Sequence, residues 1–410
     1  YCKLIQSSKD IIDSSYIYES EMLYECFNCE KCFGCYYTTN SKNCRDCYFV
    51  KSCTGCSNCF MCTNLVGKEY HFKNQPLSKE EYQKKLLESK LSDSNMIKKV
   101  SDFFHNYSST FPVKYAEILG SEKSMGDFII NSKNCIECYD VSGSENCKYV
   151  HVGVDAKDLM DCSNMYIHPS WCLDTLGVIE VSNILFCLYV FHSRNLLYSE
   201  QCFSCQDCFG CIGLRNQKYC IGNKPYSVAE YEEKVGKLIE HMRTTGEWWE
   251  FFPITLSPFG YNETVAYEYF PMTESEARSR WYKWHDGENK NTYVWPFYQL
   301  LSIEQYDEKV VWYEAAQKNI DALLSGIVEC EITGKPFKII KQELVFYIEN
   351  HLPIPTRHPD QRHKDRMSHR NPRELHEREC GKCGEHVMTT YLENRPEKIL
   401  CESCYRKLVH

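Results

Sequence analysis

The sequence predicts a mainly β protein: a Cys-rich parallel β-solenoid in two blocks with α-helical caps, plus a C-terminal ribbon module. Three observations predict it. Cysteine falls at every third residue in CFNCEKCFGC (Cys26 to Cys35), CTGCSNCFMC (Cys53 to Cys62) and CFSCQDCFGC (Cys202 to Cys211). A shorter motif, a small polar residue followed by Asn or Asp and a small apolar residue, recurs at twelve-residue steps. The chain closes on two CxxC pairs seventeen residues apart.

The repeats come first in chain order. Ser8-Lys-Asp-Ile and Ser20-Glu-Met-Leu are one step apart, as are Ser132-Lys-Asn-Cys, Ser144-Glu-Asn-Cys and Ala156-Lys-Asp-Leu. The polar pair turns a corner and the apolar residue points inward, as in a solenoid rung. Twelve residues at ~3.3 Å each give a perimeter of about 40 Å, a narrow coil, or half of a wider one. The stretch from Cys53 aligns with the stretch from Cys202 through four cysteines, Tyr70/Tyr219, Asn74/Asn223, Pro76/Pro225 and Ser78/Ser227. Five segments follow: solenoid block 1 (1–75), a helical cap and connector (76–110), solenoid block 2 (111–226), a helical Trp-rich linker (227–329), and a degenerate ribbon plus zinc ribbon (330–410).

Helices are expected at about 78–105 and 227–243, because Ser78-x-x-Glu81 and Ser227-x-x-Glu230 are capping boxes. Thr273-x-x-Glu276 starts a third that ends near Trp284, and a fourth spans about 302–325. Trp248, Trp249, Trp281, Trp284, Trp295 and Trp312 read as buried anchors.

Four readings of the cysteine runs compete. Asn28, Gly34 and Gly55 make poor helices. A bacterial iron–sulfur run is C-x2-C-x2-C-x3-C-P; here the last gap is two, and Tyr36, Thr63 and Ile212 stand where Pro belongs, which argues against a cluster. Disulfides between rungs and zinc at single CxxC pairs are the next alternatives. The favoured reading is architectural: Cys is a small, commonly buried hydrophobe, and a thin coil has room for little else.

The C-terminus carries the metal signal. Cys380-x2-Cys383-x17-Cys401-x2-Cys404 supplies four thiolates in two knuckles, the ligand set of one structural zinc ion. Upstream, Cys330-x2-Thr333 and His358-x2-Gln361 have knuckle spacing with two usable ligands, a ribbon packed by Phe337, Ile339, Leu344, Phe346 and Tyr347 instead.

Formal net charge is −9. Residues 330–410 carry 15 Lys+Arg against 12 Asp+Glu, so the rest holds −12 and any polyanion would meet the C-terminal end. Arg357, Arg362, Lys364, Arg366, Arg370 and Arg373 are the nucleic-acid candidates; on a helix, four of the arginines share one face. No phosphate loop, nucleophile elbow or HExxH motif points to an enzyme. No apolar run is long enough to span a bilayer. An odd count of 27 cysteines favours a reducing, cytoplasmic setting. Because the chain begins at Tyr1 inside the repeat pattern, it is expected to be a fragment or processed product.

These features resemble a family of cysteine-rich proteins from small-genome uncultured bacteria. The residues that carry the likeness are Tyr219 to Glu232, Pro258 to Ala266, Cys330 to Ile339, His358 to His363 and the closing ribbon. The resemblance implies two ribbons, with this chain lacking ligands in the first. Some relatives bear a CaiB/BaiF label, a CoA-transferase name for which these residues offer no chemistry; the resemblance implies no activity. The functional expectation is a non-enzymatic zinc-binding scaffold that contacts protein or RNA/DNA through the C-terminal module, with an electron-transfer or thiol-redox protein as the alternative. Oligomeric state is not legible.

Overall fold

The structure, a computed structural model, describes residues 1–166, 170–173, 175–286, 321 and 323–409. Trp295, Trp312 and most of the helix expected at 302–325 lie outside the described residues. The fold is mainly β and its large sheets are parallel. The chain divides into two compact units, one of Tyr1–Val113, Glu288–Arg370 and Pro396–His410, the other of Lys114–Gly287 and Asn371–Arg395.

In the first unit the rung is twelve residues. Lys3 pairs in parallel with Ser15, Ser15 with Phe27, and Phe27 with Thr39. Inside each rung the repeating element is a triplet: an outward residue, a residue in the left-handed conformation, and an inward residue. Phe27-Asn28-Cys29, Glu30-Lys31-Cys32 and Phe33-Gly34-Cys35 are consecutive triplets, with φ of 52°, 53° and 60° at their centres. Each left-handed residue turns a corner, so four triplets close one rung and four side chains fill each layer. Cys26, Cys29, Cys32 and Cys35 make one layer; Thr38, Ser41, Cys44 and Cys47 make the next, all at most 2 % exposed.

Corners leave main-chain groups that a flat ladder would pair, and these must find partners inside. Thiols and hydroxyls supply them. The Cys26 thiol donates to the carbonyls of Tyr24 (3.3 Å) and Cys35 (3.2 Å). The Ser20 hydroxyl donates to Tyr18 O at 2.7 Å and accepts from the Cys32 N–H at 3.0 Å. A thiol is small, apolar and a weak donor, which suits this interior. None of the 27 cysteines is joined in a disulfide.

Each block ends in the same device. Asn74 Oδ1 accepts from Thr63 N–H at 2.9 Å, and Asn223 Oδ1 from Ile212 N–H at 2.8 Å. A short antiparallel strand then turns back (Gln75–Pro76, Lys224–Pro225) and delivers the chain to Ser78 or Ser227. Both serines form complete capping boxes. After Ser78 the helix is broken in two, Lys79–Glu88 and Ser94–Ser109, and Asp93 caps the second part. That second helix buries Ile97, Val100 and Phe104 against Phe49, Phe60 and Met61 of the coil.

In the second unit, helix Val228–Thr245 and Trp248 pack on Phe186, Tyr198 and Phe209. The helix begun at Thr273 ends at Ser279, short of Trp284. The anchor expectation is corrected for Trp249 and Trp281, which are 55 % and 80 % exposed.

Candidate metal centre

The C-terminal knuckle is built by a hairpin in which His376–Glu379 pairs antiparallel with His386–Thr389. At its tip Cys380 N–H donates to Glu385 O (2.8 Å) and Gly384 N–H donates to Cys380 O (2.9 Å). Gly384 has φ 76°, a left-handed conformation that glycine adopts without steric cost. The second CxxC pair follows strand Ile399–Leu400 and enters helix Glu402–Val409. Cys401 O accepts the helical bond from Tyr405 N–H at 2.9 Å, placing the Cys401 and Cys404 sulfurs at a helix N-terminus, where partial positive charge favours thiolate. Ser403 Oγ lies 3.2 Å from Cys401 Sγ.

The ligand atoms of Cys380, Cys383, Cys401 and Cys404 all lie within 4.8 Å of one another. Such a group can hold a metal ion. Three of the four are buried and Cys383 is exposed. A tetrahedral ion with ~2.3 Å metal–sulfur bonds needs sulfur edges of about 3.8 Å, so these four sulfurs fit one ion with sub-ångström to ångström adjustments. Among the described residues no second set of three or more Cys, His or carboxylate ligands converges in this way.

The upstream hairpin repeats the knuckle. Cys330 N–H donates to Lys335 O (3.0 Å), Gly334 N–H donates to Cys330 O (2.9 Å), and Gly334 has φ 65°. His358 caps helix Pro359–Ser368, its Nδ1 accepting from Asp360 N–H at 3.1 Å. Gln361 Nε2 donates to Asp365 Oδ1 at 2.7 Å. Burial would raise the Cys330 thiol pKa; bonds from Thr333, His358 and Ile332 outweigh it and hold it below the usual value. Cys330 joins Leu323, Val328, Phe337, Ile339, Leu344 and Ile354 in one apolar cluster. Phe346 and Tyr347 face elsewhere, toward Tyr24 and Tyr36.

The cysteine runs place one buried sulfur beside each left-handed corner of a coil. His71 and Cys220 hold equivalent places in the two blocks, paired with Cys59 and Cys208.

The basic segment requires a correction. Helical spacing alone would leave its arginines on a solvent face, but Arg362, Arg366 and Arg373 are buried. Within the first unit Arg362 pairs with Asp13 and with Glu343 (3.0 Å), and Arg366 with Glu25 (3.2 Å). Arg357 bridges Glu331 and Asp365, each at 2.7 Å. Arg370 donates to Tyr16 Oη at 2.7 Å and stacks over its ring. In the second unit Arg373 pairs with Asp140 and lies 3.7 Å from the Tyr269 ring centre. Lys364 is exposed. Arg362 and Arg366 do share a helix face; it points onto the coil, where it meets Asp13 and Glu25, 349 and 341 positions away in sequence.

Three carboxyl groups (Asp13, Glu25, Glu343) thus share two guanidiniums (Arg362, Arg366), with Tyr24, Tyr37 and Tyr347 alongside. Burial pushes the Glu25 carboxyl up from 4.5 to about 7, with Asp13 adding to the rise and Arg366 opposing it. The folded state therefore keeps a proton that the unfolded chain releases. Its contribution to stability is complete below pH 4.5 and is lost as pH rises to about 7. Denaturation midpoints of this unit should decline as pH is raised through this window, and Glu25→Gln should flatten that slope. An unchanged slope in the variant would assign the titration elsewhere.

No protein family and no curated protein matches the chain. Among the described residues no helix is long and apolar enough to cross a membrane.

Proposed function

We propose that the chain is a non-enzymatic scaffold: β-solenoid blocks carrying a C-terminal ribbon that is stapled by one structural zinc ion and holds a protein partner. The observation that carries this reading is the convergence of Cys380, Cys383, Cys401 and Cys404. Four thiolates fill a tetrahedral shell and leave no position for substrate or activated water, which is the mark of a structural site. Thiolate ligands in this geometry favour zinc over harder divalent ions. Protein is the favoured partner class because the arginines that would meet phosphate are ion-paired or stacked within their own unit.

Metal analysis of the protein purified without added metal should find one zinc per chain, released by Cys401→Ser. Hydrogen exchange at 376–409 should rise in that variant while the circular dichroism of the coils barely changes, because the coils pack without the ion. Iron in place of zinc, or no metal, would end the structural-zinc reading. Retention of mixed RNA by the full chain at low salt, with affinity falling as salt rises, would replace the protein partner by a nucleic acid.

A further inference from the structure

The first unit contains a second arrangement of sulfur that the ribbon does not explain. Phe33, Arg45 and Ser57 stack in register on successive rungs, as do Tyr36, Tyr48 and Phe60. The inward residues beside them therefore form two neighbouring columns: Cys32, Cys44, Cys56 and Cys35, Cys47, Cys59. All six are at most 2 % exposed. The Cys44 side chain neighbours those of Cys32, Cys47 and Cys56, and Cys47 neighbours Cys35, Cys44 and Cys59. The sulfurs make a lattice two wide and three high.

Spacing decides what such a lattice accepts. Stacked rungs are ~4.8 Å apart. Tetrahedral zinc wants four sulfurs converging on one point with edges of about 3.8 Å, and among the described residues the converging set is the C-terminal one. A linear sulfur–metal–sulfur bridge needs only two ligands, and a stacked pair of sulfurs, about one rung spacing apart, presents two. Soft thiolate sulfur selects soft ions, copper(I) among them. We propose that this lattice binds soft, two-coordinate monovalent ions of the copper(I) class, one per column, held between two stacked sulfurs.

The step balances without a redox partner. Two thiols and one Cu⁺ give a thiolate–copper–thiol bridge and release one H⁺, so no net charge is buried and copper stays in its +1 state. Each ion costs one weak thiol–carbonyl bond, such as Cys44 to Lys42 O at 3.4 Å. The lattice is closed to solvent, so loading accompanies folding.

The test is to refold the full reduced chain anaerobically with Cu(I) supplied as its acetonitrile complex. Unbound copper is then removed with bicinchoninate, and copper per folded chain is measured. Cys44→Ser/Cys47→Ser takes the centre out of both columns and should lower the count by two relative to the parent. The C-terminal cysteines are common to both chains and cancel. Serine already occupies inward positions at Ser20 and Ser41, so the variant keeps its hydrogen bonding. Should the double variant fail to fold, Cys47→Ser alone should lose one ion, and copper should shield Cys32, Cys35, Cys56 and Cys59 from alkylation when the parent chain is unfolded in its presence. Equal copper in parent and folded variant, or none retained by the parent, overturns the proposal.

Discussion

Arg362→Gln should cost the first unit about 3–5 kcal/mol, the range seen when one partner of a buried ion pair is removed. The Arg362 side chain is 5 % exposed, Asp13 0 % and Glu343 5 %. Its Nη1 reaches Asp13, Glu343 Oε1 and Tyr347 Oη, the last two at 3.0 and 3.1 Å. Tyr347 Oη in turn donates to Glu343 Oε1 at 2.7 Å. Glutamine restores neither the charge nor the reach, so two carboxyl groups lose their shared cation in a place water does not enter. The penalty is the desolvated charge left behind and not the worth of the pair, which against an apolar replacement is small. That distinction is measurable. Adding Asp13→Asn to Arg362→Gln should recover a large part of the loss, a coupling that independent surface sites would not show. Denaturant midpoints, with hydrogen exchange of 341–368 to assign the change to this unit, are the readout. A cost under about 1 kcal/mol would mean that Arg362 is solvated, and would reopen the phosphate-binding reading of the segment.

Much of this architecture is written in local sequence. The twelve-residue spacing of Ser8/Ser20 and Ser132/Ser144 is the rung itself, and thiols at every third position mark the inward side of each corner. The capping boxes at Ser78, Ser227 and Thr273 form because each is closed within four residues. The CxxC pairs announce the metal site for the same reason. What escapes local reading depends on distance or on cost. Left-handed φ at Tyr16, Lys31 and Phe49 carries no sequence signal, since isolated L-residues avoid that region; the coil imposes it and repays it through stacking, as in Tyr37 on Phe49 at 4.4 Å. The orientation of the arginine face depends on Asp13 and Glu25, which no spacing rule connects to residue 362 or 366. The break after Ser89 in the expected helix is set by a second cap at Asp93, which competes with simple continuation.

Rung length shows where local reading and global closure part. In the second unit the register is not uniform. Ile118 pairs with Ile129 and Met125 with Ile136, eleven positions on, whereas Gly126 pairs with Cys138, twelve on. Later, Lys157 pairs with Ser170 and Ser163 with Leu176, thirteen on. A triplet coil absorbs a missing residue only by a local irregularity in the ladder, and the shift sits between Met125 and Gly126.

Gly126→Ala should therefore be among the most damaging single-atom-group changes in the chain, about 4 kcal/mol or more, combining backbone strain with overlap that cannot relax. Gly126 has φ 149°, a conformation L-residues rarely take. A Cβ there would stand 1.9 Å from Cys138 O and 2.9 Å from Cys138 C. Both are main-chain atoms held in the ladder, so no rotamer change makes room. The neighbour adds to the loss: buried Asp127 accepts from Glu117 N–H at 2.9 Å and Phe128 N–H at 3.0 Å, and Thr390 Oγ1 donates to it at 3.0 Å. Any shift that frees the new methyl group moves these acceptors off their donors. Gly210 is the control. Its φ is 60°, yet nothing stands within 4 Å of the place a methyl group would take, so Gly210→Ala should cost only the left-handed penalty of about 1–2 kcal/mol. The two variants make the same chemical change in the same unit and differ in backbone conformation and in whether a neighbouring main chain stands against the added methyl group. Urea midpoints for the pair, with alkylation of the Cys138 thiol as a local report, read the difference. Equal costs would mean that the short rung does not lock Gly126 against Cys138, and that its eleven-residue register is not enforced by this contact.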